Sequence, residues 1–352
     1  MVSKLPKKAH VRYYVIAGIV LAFILVVSFA TGAMSGLAFH KPSPTPGPIP
    51  TLTPTATPSY TTPILTPIRT PISTITPAPT PPPSAAIPKY GVVVQEDEYP
   101  ECASALSDLR QVGSYWIRGD CVTPSEVASF WSAMNSQGIE VLGVLNQACL
   151  QLGEVGPTWQ AYVQSIVDAA PNVPAWEIGN EPEQTYNITP QTYMTYLEEA
   201  YTIIKAADPH ALIIGPAVGC SSTGAQYLST IKSLGAFNYL DAISAHYYPY
   251  SGFSDIQDIE SVVAGAKPIW ITETGYPSDT SGGEAAQNSY VQTYLNSTSG
   301  TIGSDPAIKV IIYYDLNNAD DSWGLNNGPP SYTPKEAYAT FKSFVESTAP
   351  VT

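Results

Sequence analysis

The chain has 352 residues, with 15 Lys+Arg against 29 Asp+Glu and a net charge of −14. Residues 1–88 contain no Asp or Glu and six basic residues (Lys4, Lys7, Lys8, Arg12, Lys41, Arg69), so the remainder sets nine basic residues against all 29 acids, a formal −20. Such an acidic domain argues against nucleic acid or anionic lipid as its partner, since both would be repelled. Neutral substrates or cations are accommodated, and the acidity serves solubility as well.

Residues 1–14 read as a basic cytoplasmic tail, followed at 15–39 by an uncharged, mostly apolar run of 25 residues. At ~1.5 Å per residue about 20 residues cross the ~30 Å hydrocarbon core. The basic flank from Lys4 to Arg12 places the N-terminus in the cytoplasm. The expectation is a transmembrane signal anchor, making the protein single-pass in the cell membrane with the rest exported. A cleaved signal peptide, with an apolar core of ~7–15 residues, is the alternative, and Ala30, Gly32 and Ala33 keep it open. Residues 40–88 hold 16 of the 34 prolines, interleaved with Thr and Ser. That composition lacks amide donors and favours extended polyproline II, so it predicts a disordered stalk and not a domain. At ~3.1 Å per residue it reaches up to ~150 Å.

After Pro88 the pattern becomes globular, and 89–352 reads as one domain. Short β-branched runs at 90–95, 114–119, 139–145, 174–179, 211–215, 241–245, 268–272 and 309–314 alternate with helical stretches. Thr123-Pro124-Ser125-Glu126 and Thr189-Pro190-Gln191 are helix starts, and Gly138 and Gly235 suit helix ends. Eight apolar strands, each followed by a helix, predict an α/β fold of the (β/α)8 TIM barrel type. A doubly wound open sheet is the alternative, but no Gly-x-Gly-x-x-Gly follows the first strand.

The four cysteines fall just after expected strands, and disulfides suit an exported domain. Of three possible pairings, Cys102–Cys121 with Cys149–Cys220 is preferred because the first two loops should be neighbours; four unpaired thiols are the alternative. No Cys-x-x-Cys occurs, so no metal is expected. Asn187-Ile-Thr and Asn296-Ser-Thr fit the N-glycosylation pattern.

Chemistry in a barrel sits where strands end. The fourth ends in Trp176-Glu177-Ile178-Gly179-Asn180-Glu181-Pro182-Glu183 and the seventh in Trp270-Ile271-Thr272-Glu273-Thr274-Gly275-Tyr276-Pro277. Each puts a Glu at the mouth; Glu177, inside the strand, and Glu183, beyond it, are the weaker catalytic candidates. The fourth and seventh strands face each other across the barrel, so Glu181 and Glu273 can converge on one bond. Retaining glycosidases need two such carboxyls ~5–5.5 Å apart, one a proton donor and one a nucleophile. The charge on Glu273 would hold the proton on Glu181, and glycosylation of Glu273 would remove that charge and let Glu181 act as base.

With Asn-Glu-Pro closing the fourth strand and a Glu closing the seventh about 90 residues later, the chain resembles glycoside hydrolase clan A over the whole barrel. The resemblance implies a retaining β-glycosidase or endoglycanase, with Glu181 as acid/base and Glu273 as nucleophile. It implies that Asn180 bonds the sugar 2-hydroxyl and that Arg118 steadies the nucleophile. The resemblance also implies that His246 and Tyr248, at the clan's His-x-Tyr spacing, would support substrate and Glu273. Many members keep a Trp at the end of strand 8, whereas this chain has Tyr313-Tyr314-Asp315; Tyr314 and Trp323 are the substrate-binding candidates there. Some families carry a His where Asn146-Gln147 stands. Thr-Glu-Thr-Gly-Tyr-Pro-Ser resembles the β-1,3-glucanase nucleophile motif, and Trp-Glu-Ile-Gly-Asn-Glu-Pro that of family 39 or family 5.

The expected partner is thus a β-glycan, cleaved outside the cytoplasm by a monomer without a cofactor. A catalytically silent carbohydrate-binding or wall-attachment protein on the same barrel is the alternative, because one fold hosts many functions.

Overall fold

The computed structural model describes residues 89–94, 103–113, 115–121, 123–147, 158–184, 187–318, 322–328 and 332–348. The expected tail 1–14, apolar run 15–39 and stalk 40–88 lie outside the described residues, as do Cys102 and Cys149. Among the described residues no helix is long and apolar enough to cross a membrane.

Strands and helices alternate along the chain: β1 Tyr90–Val93, α1 Ala103–Val112, β2 Trp116–Asp120, α2 Pro124–Ser136, β3 Glu140–Leu145, α3 Trp159–Ala169, β4 Ala175–Ile178 and α4 Pro190–Ala207. The second half continues with β5 Leu212–Gly219, α5 Ser222–Ser233, β6 Ala242–Tyr247, α6 Ile256–Val263, β7 Ile269–Thr274, α7 Gly283–Tyr290, β8 Ile308–Tyr313 and α8 Glu336–Ser347. All neighbouring strands pair in parallel, and β1 pairs with β8, so the sheet closes into an eight-stranded barrel.

The helices start where hydroxyl side chains cap them. Thr123, Thr158, Thr189 and Ser221 each accept a hydrogen bond from a backbone N–H three residues on, and Pro124 and Pro190 fill first-turn positions whose N–H would be orphaned anyway. Gly138 (φ +68°) and Gly235 (φ +99°) follow α2 and α5 in the left-handed conformation that ends helices. α4 buries Tyr193, Met194, Leu197, Ala200, Ile203 and Ile204, the 3–4 spacing of one helical face.

Strand alternation sorts the apolar residues into two cores. Outward-facing side chains meet the helices in the large shell, while Val93, Trp116, Leu142, Ala175, Ile214, Ala242, Trp270, Val310 and Ile312 fill the barrel itself. Trp116 and Trp270 touch inside it with ring centroids 5.1 Å apart. This plug is the floor of the site. Gly91 makes room for it, because a Cβ there would lie 2.7 Å from both Cβ and O of Trp116.

β5 is longer than the expected 211–215. It runs through Pro216 to Gly219, with a register shift against β6 between Pro216 and Val218. Proline reads as a strand breaker, yet an irregularity is where a sheet tolerates one.

Candidate functional site

Arg118 occupies the centre of the barrel mouth. It lies two residues beyond Trp116 on β2 and so shares its inward face. Its guanidinium donates from Nε to Glu177 Oε2 at 2.6 Å, from Nη1 to Glu273 Oε1 at 2.6 Å and from Nη2 to Asn180 Oδ1 at 2.8 Å. Burial works against its charge, but Glu177, Glu273 and Asp120 outweigh it and hold the guanidinium firmly protonated. Because a guanidinium only donates, the Asn180 amide must turn its oxygen to Arg118. Its Nδ2 then has no protein partner among the described residues.

β4 hands Asn180 and Glu181 to the mouth through a tight backbone turn. Gly179 has φ +87° and Glu181 φ +45°, a region that side chains other than glycine enter at a cost of about 1–2 kcal/mol. The Glu181 N–H donates to Ala217 O at 3.1 Å, and Gln147 brackets Asn180 by donating to its carbonyl at 2.9 Å and accepting from its N–H at 3.2 Å. These bonds hold the strained segment in place.

β7 delivers Glu273 by a different device. Inward positions on this strand begin at Trp270, and simple alternation would turn Thr272 inward and Glu273 outward. The β6–β7 register instead jumps from Ala245 opposite Ile271 to His246 opposite Glu273. The extra residue re-phases the strand, so Glu273 joins the face on which His246 lies.

His246 and Tyr248 complete the arrangement from β6 and the residue just beyond it. Tyr248 donates to Glu273 Oε2 at 2.8 Å. Burial, and then the charge of Glu273, push its hydroxyl well above the ordinary tyrosine value, so it remains a donor. His246 is fully buried; its Nδ1 lies 3.0 Å from Glu181 Oε1 and 3.6 Å from Glu273 Oε2. One nitrogen shared by two oxygens caps their separation at the sum of those distances, about 6.6 Å. Burial lowers the affinity of His246 for a proton, yet Glu273 and Glu181 together raise its pKa above 6.5.

The model of the glycosyl hydrolase catalytic core matches residues 154–330, half of the chain, and spans both carboxylates. The chain belongs to this family. The resemblance to clan A is borne out with it. The cell surface mannoprotein MP65 of Candida albicans is 25% identical over 253 residues, covering 60% of this chain and 64% of that protein. The chain thus spans about 64% of the length of this curated relative. Two solved structures share the fold. A glucosidase from Croceicoccus marinus has a TM-score of 0.52 at 14% identity, with 74% of this chain and 67% of that chain covered. A GH30 endoxylanase from Clostridium papyrosolvens C71 has a TM-score of 0.52 at 14% identity, with 76% and 73% covered.

In this glycosyl hydrolase core, Glu181, Glu273, Asn180, Arg118, His246 and Tyr248 form one bonded cluster. Tyr314 and Trp323 flank it. Trp323 packs edge-on against Tyr248 at 5.5 Å and against Tyr314 at 6.2 Å, giving an aromatic wall on the β6–β8 side. Gly275 permits that packing, since a Cβ there would meet Tyr314 O at 2.3 Å. Gln287 of α7 holds the loop by donating to the carbonyls of Tyr276, Trp323 and Gly324.

Both expected disulfides reach a cysteine outside the described residues, Cys102 for Cys121 and Cys149 for Cys220. Cys121 and Cys220 are buried at the ends of β2 and β5, and burial pushes the Cys220 thiol well up. Two site residues carry more than the sequence suggested. Glu177, fully buried, is the anchor for Arg118 Nε, and Gln147 clamps the Asn180 backbone. A carboxylate at an inward strand position needs a buried counter-charge, which Arg118 supplies to Glu177.

Proposed function

We propose that this chain is a retaining glycoside hydrolase that cleaves β-glycosidic bonds of a poly- or oligosaccharide outside the cytoplasm. Glu181 is the acid/base and Glu273 the nucleophile. The observation that carries this is the 6.6 Å cap between Glu181 Oε1 and Glu273 Oε2. It accommodates the ~5–5.5 Å of retaining enzymes and lies at the lower end of the ~6.5–9.5 Å of inverting ones.

In the first step Glu181 gives its proton to the glycosidic oxygen while a Glu273 oxygen attacks the anomeric carbon. The C–O bond to the leaving group breaks, the alcohol departs, and a glycosyl ester on Glu273 forms. Glu181, now ionised, takes a proton from water as that water attacks the same carbon; the ester breaks and both residues return to their starting state. Arg118 and Tyr248 each hold one oxygen of Glu273, fixing its orientation and stabilising it as the leaving carboxylate. The Asn180 amide is free to donate to the sugar beside the reacting carbon. Tyr314 and Trp323 offer flat apolar faces to sugar C–H surfaces. The similarity to a cell surface mannoprotein supports an extracellular setting, with residues 15–39 as the membrane anchor and the protein acting as a monomer.

The test is turnover of aryl β-glycosides and of soluble β-glucan, xylan and mannan by the full chain, with Glu181→Gln and Glu273→Gln beside it. Each variant should lose at least about 1,000-fold in kcat. Azide should partly rescue Glu273→Ala by supplying a nucleophile, with inversion of the product. Saccharide binding without turnover by the unmutated chain would replace this reading with the silent carbohydrate-binding one.

A further inference from the structure

Besides Glu183, the mouth contains a further carboxylate that the two-acid mechanism leaves unused. Asp120 ends β2 two positions beyond Arg118, so its side chain emerges on the same inner face, one layer nearer the opening. In the β2–β3 register Asp120 is opposite Val144, and Asn146, two residues further on, donates from Nδ2 to Asp120 Oδ1 at 3.4 Å. That long contact is the one hydrogen bond Asp120 receives among the described residues. Arg118 directs all three of its nitrogens elsewhere, to Glu177, Glu273 and Asn180. A carboxylate offers about four acceptor sites, so most of the capacity of Asp120 is unfilled. Its surroundings are closed in, with Arg118, Asn146 and Gln147 at 4%, 6% and 4% exposure, while Asp120 itself is half-buried. Burial also raises its pKa, against the pull of Arg118 and Asn146, which is the penalty that donated hydrogen bonds would relieve.

Its position in the barrel tells which part of a sugar it meets. Glu181, His246 and Tyr248 crowd the β4–β6 side and the aromatic wall covers β6–β8. Asp120 and Asn146 line the β2–β3 side, beyond Asn180 as seen from the reacting carbon. We propose that Asp120 is a substrate-binding, specificity-determining residue that accepts hydrogen bonds from neighbouring hydroxyls, remote from the anomeric carbon, on the sugar that Glu273 attacks. The inference rests on the glycosidase reading above and adds to it which hydroxyls are read and by what.

The full chain, Asp120→Ala and Asp120→Asn are assayed on 4-nitrophenyl β-glucoside, β-xyloside, β-mannoside and β-galactoside, and on the 3-deoxy and 4-deoxy forms of the best of these. Asp120→Ala should lose roughly 10- to 100-fold in kcat/KM on the parent glycoside, as for a lost bond to a charged group. It should lose almost nothing further on the deoxy form that lacks the hydroxyl read by Asp120. Asp120→Asn, which keeps the shape and one acceptor, should fall between the two, and the pH profile should stay in place. Equal losses on the parent and both deoxy forms, with a displaced pH profile, would mean that Asp120 acts on Arg118 and Glu273 instead, and would overturn this inference alone. If the unmutated chain turns over none of these glycosides and no soluble β-glucan, xylan or mannan, the glycosidase reading fails and takes the inference with it.

Discussion

Arg118 shows how much can depend on a single side chain. It neutralises Glu177, which is fully buried, and in the same plane orients Glu273 and the Asn180 amide. Arg118→Met should therefore cost about 3–5 kcal/mol of stability, because it strands a buried carboxylate; urea denaturation measures it. Arg118→Lys keeps the charge, but a point donor cannot serve three acceptors held in a fork. It should leave more of the stability while lowering kcat by about 100-fold or more. Glu181 and Glu273 were legible in the sequence because each closes an apolar strand, where a carboxylate stands out, while Asn180, Arg118, His246 and Tyr248 were reached through the resemblance to clan A. Glu177 did not stand out, since strand-interior residues are read as packing and its partner lies 59 positions away.

At the level of elements, two backbone irregularities place the carboxyls of Glu181 and Glu273. The β4 turn depends on Gly179, where a Cβ would meet Tyr193 Cε2 at 3.3 Å and Gln147 Oε1 at 3.4 Å at a φ unfavourable to side chains. Gly179→Ala should cost about 1 kcal/mol or more and, by moving Asn180 and Glu181, lower kcat further than it lowers stability; paired kinetics and denaturation separate the two. Helix starts are simpler. Thr123→Ala and Thr189→Ala should each remove about 1 kcal/mol while leaving kcat unchanged. Those caps could be read from Thr-Pro followed by a helical pattern, because capping is local chemistry. The β7 re-phasing could not. It is fixed by how β7 pairs with β6 and β8, and nothing in Ile-Thr-Glu-Thr announces which residue faces inward. The same limit hid the length of β5, where Pro216 obscured a strand that tertiary pairing carries through.

For the molecule as a whole, Glu260 and His246 are among the groups that tie stability to pH in the same sense. The Glu260 carboxyl is pushed up to about 7 by burial and by its contact with Asp305. It binds its proton more tightly folded than unfolded, so its contribution is complete below about 4.5 and is lost as the pH climbs through about 7. His246, raised above 6.5 by Glu273 and Glu181 against its burial, contributes fully below 6.5 and loses that contribution as pH rises through its higher folded value. The melting temperature should thus fall as pH rises from about 5 to 8. Asp305→Asn should flatten the lower part of that slope and His246→Gln the upper part. Barrel closure was readable from eight apolar runs, while these couplings join residues far apart in the chain and had no local trace. The division of the apolar side chains into an inner plug and an outer shell carries one more consequence. The floor beneath the acids is built from residues of the strands themselves, so insertions in the mouth loops can reshape what the cleft admits while that foundation stays in place. A change of diet would leave the scaffold as it is.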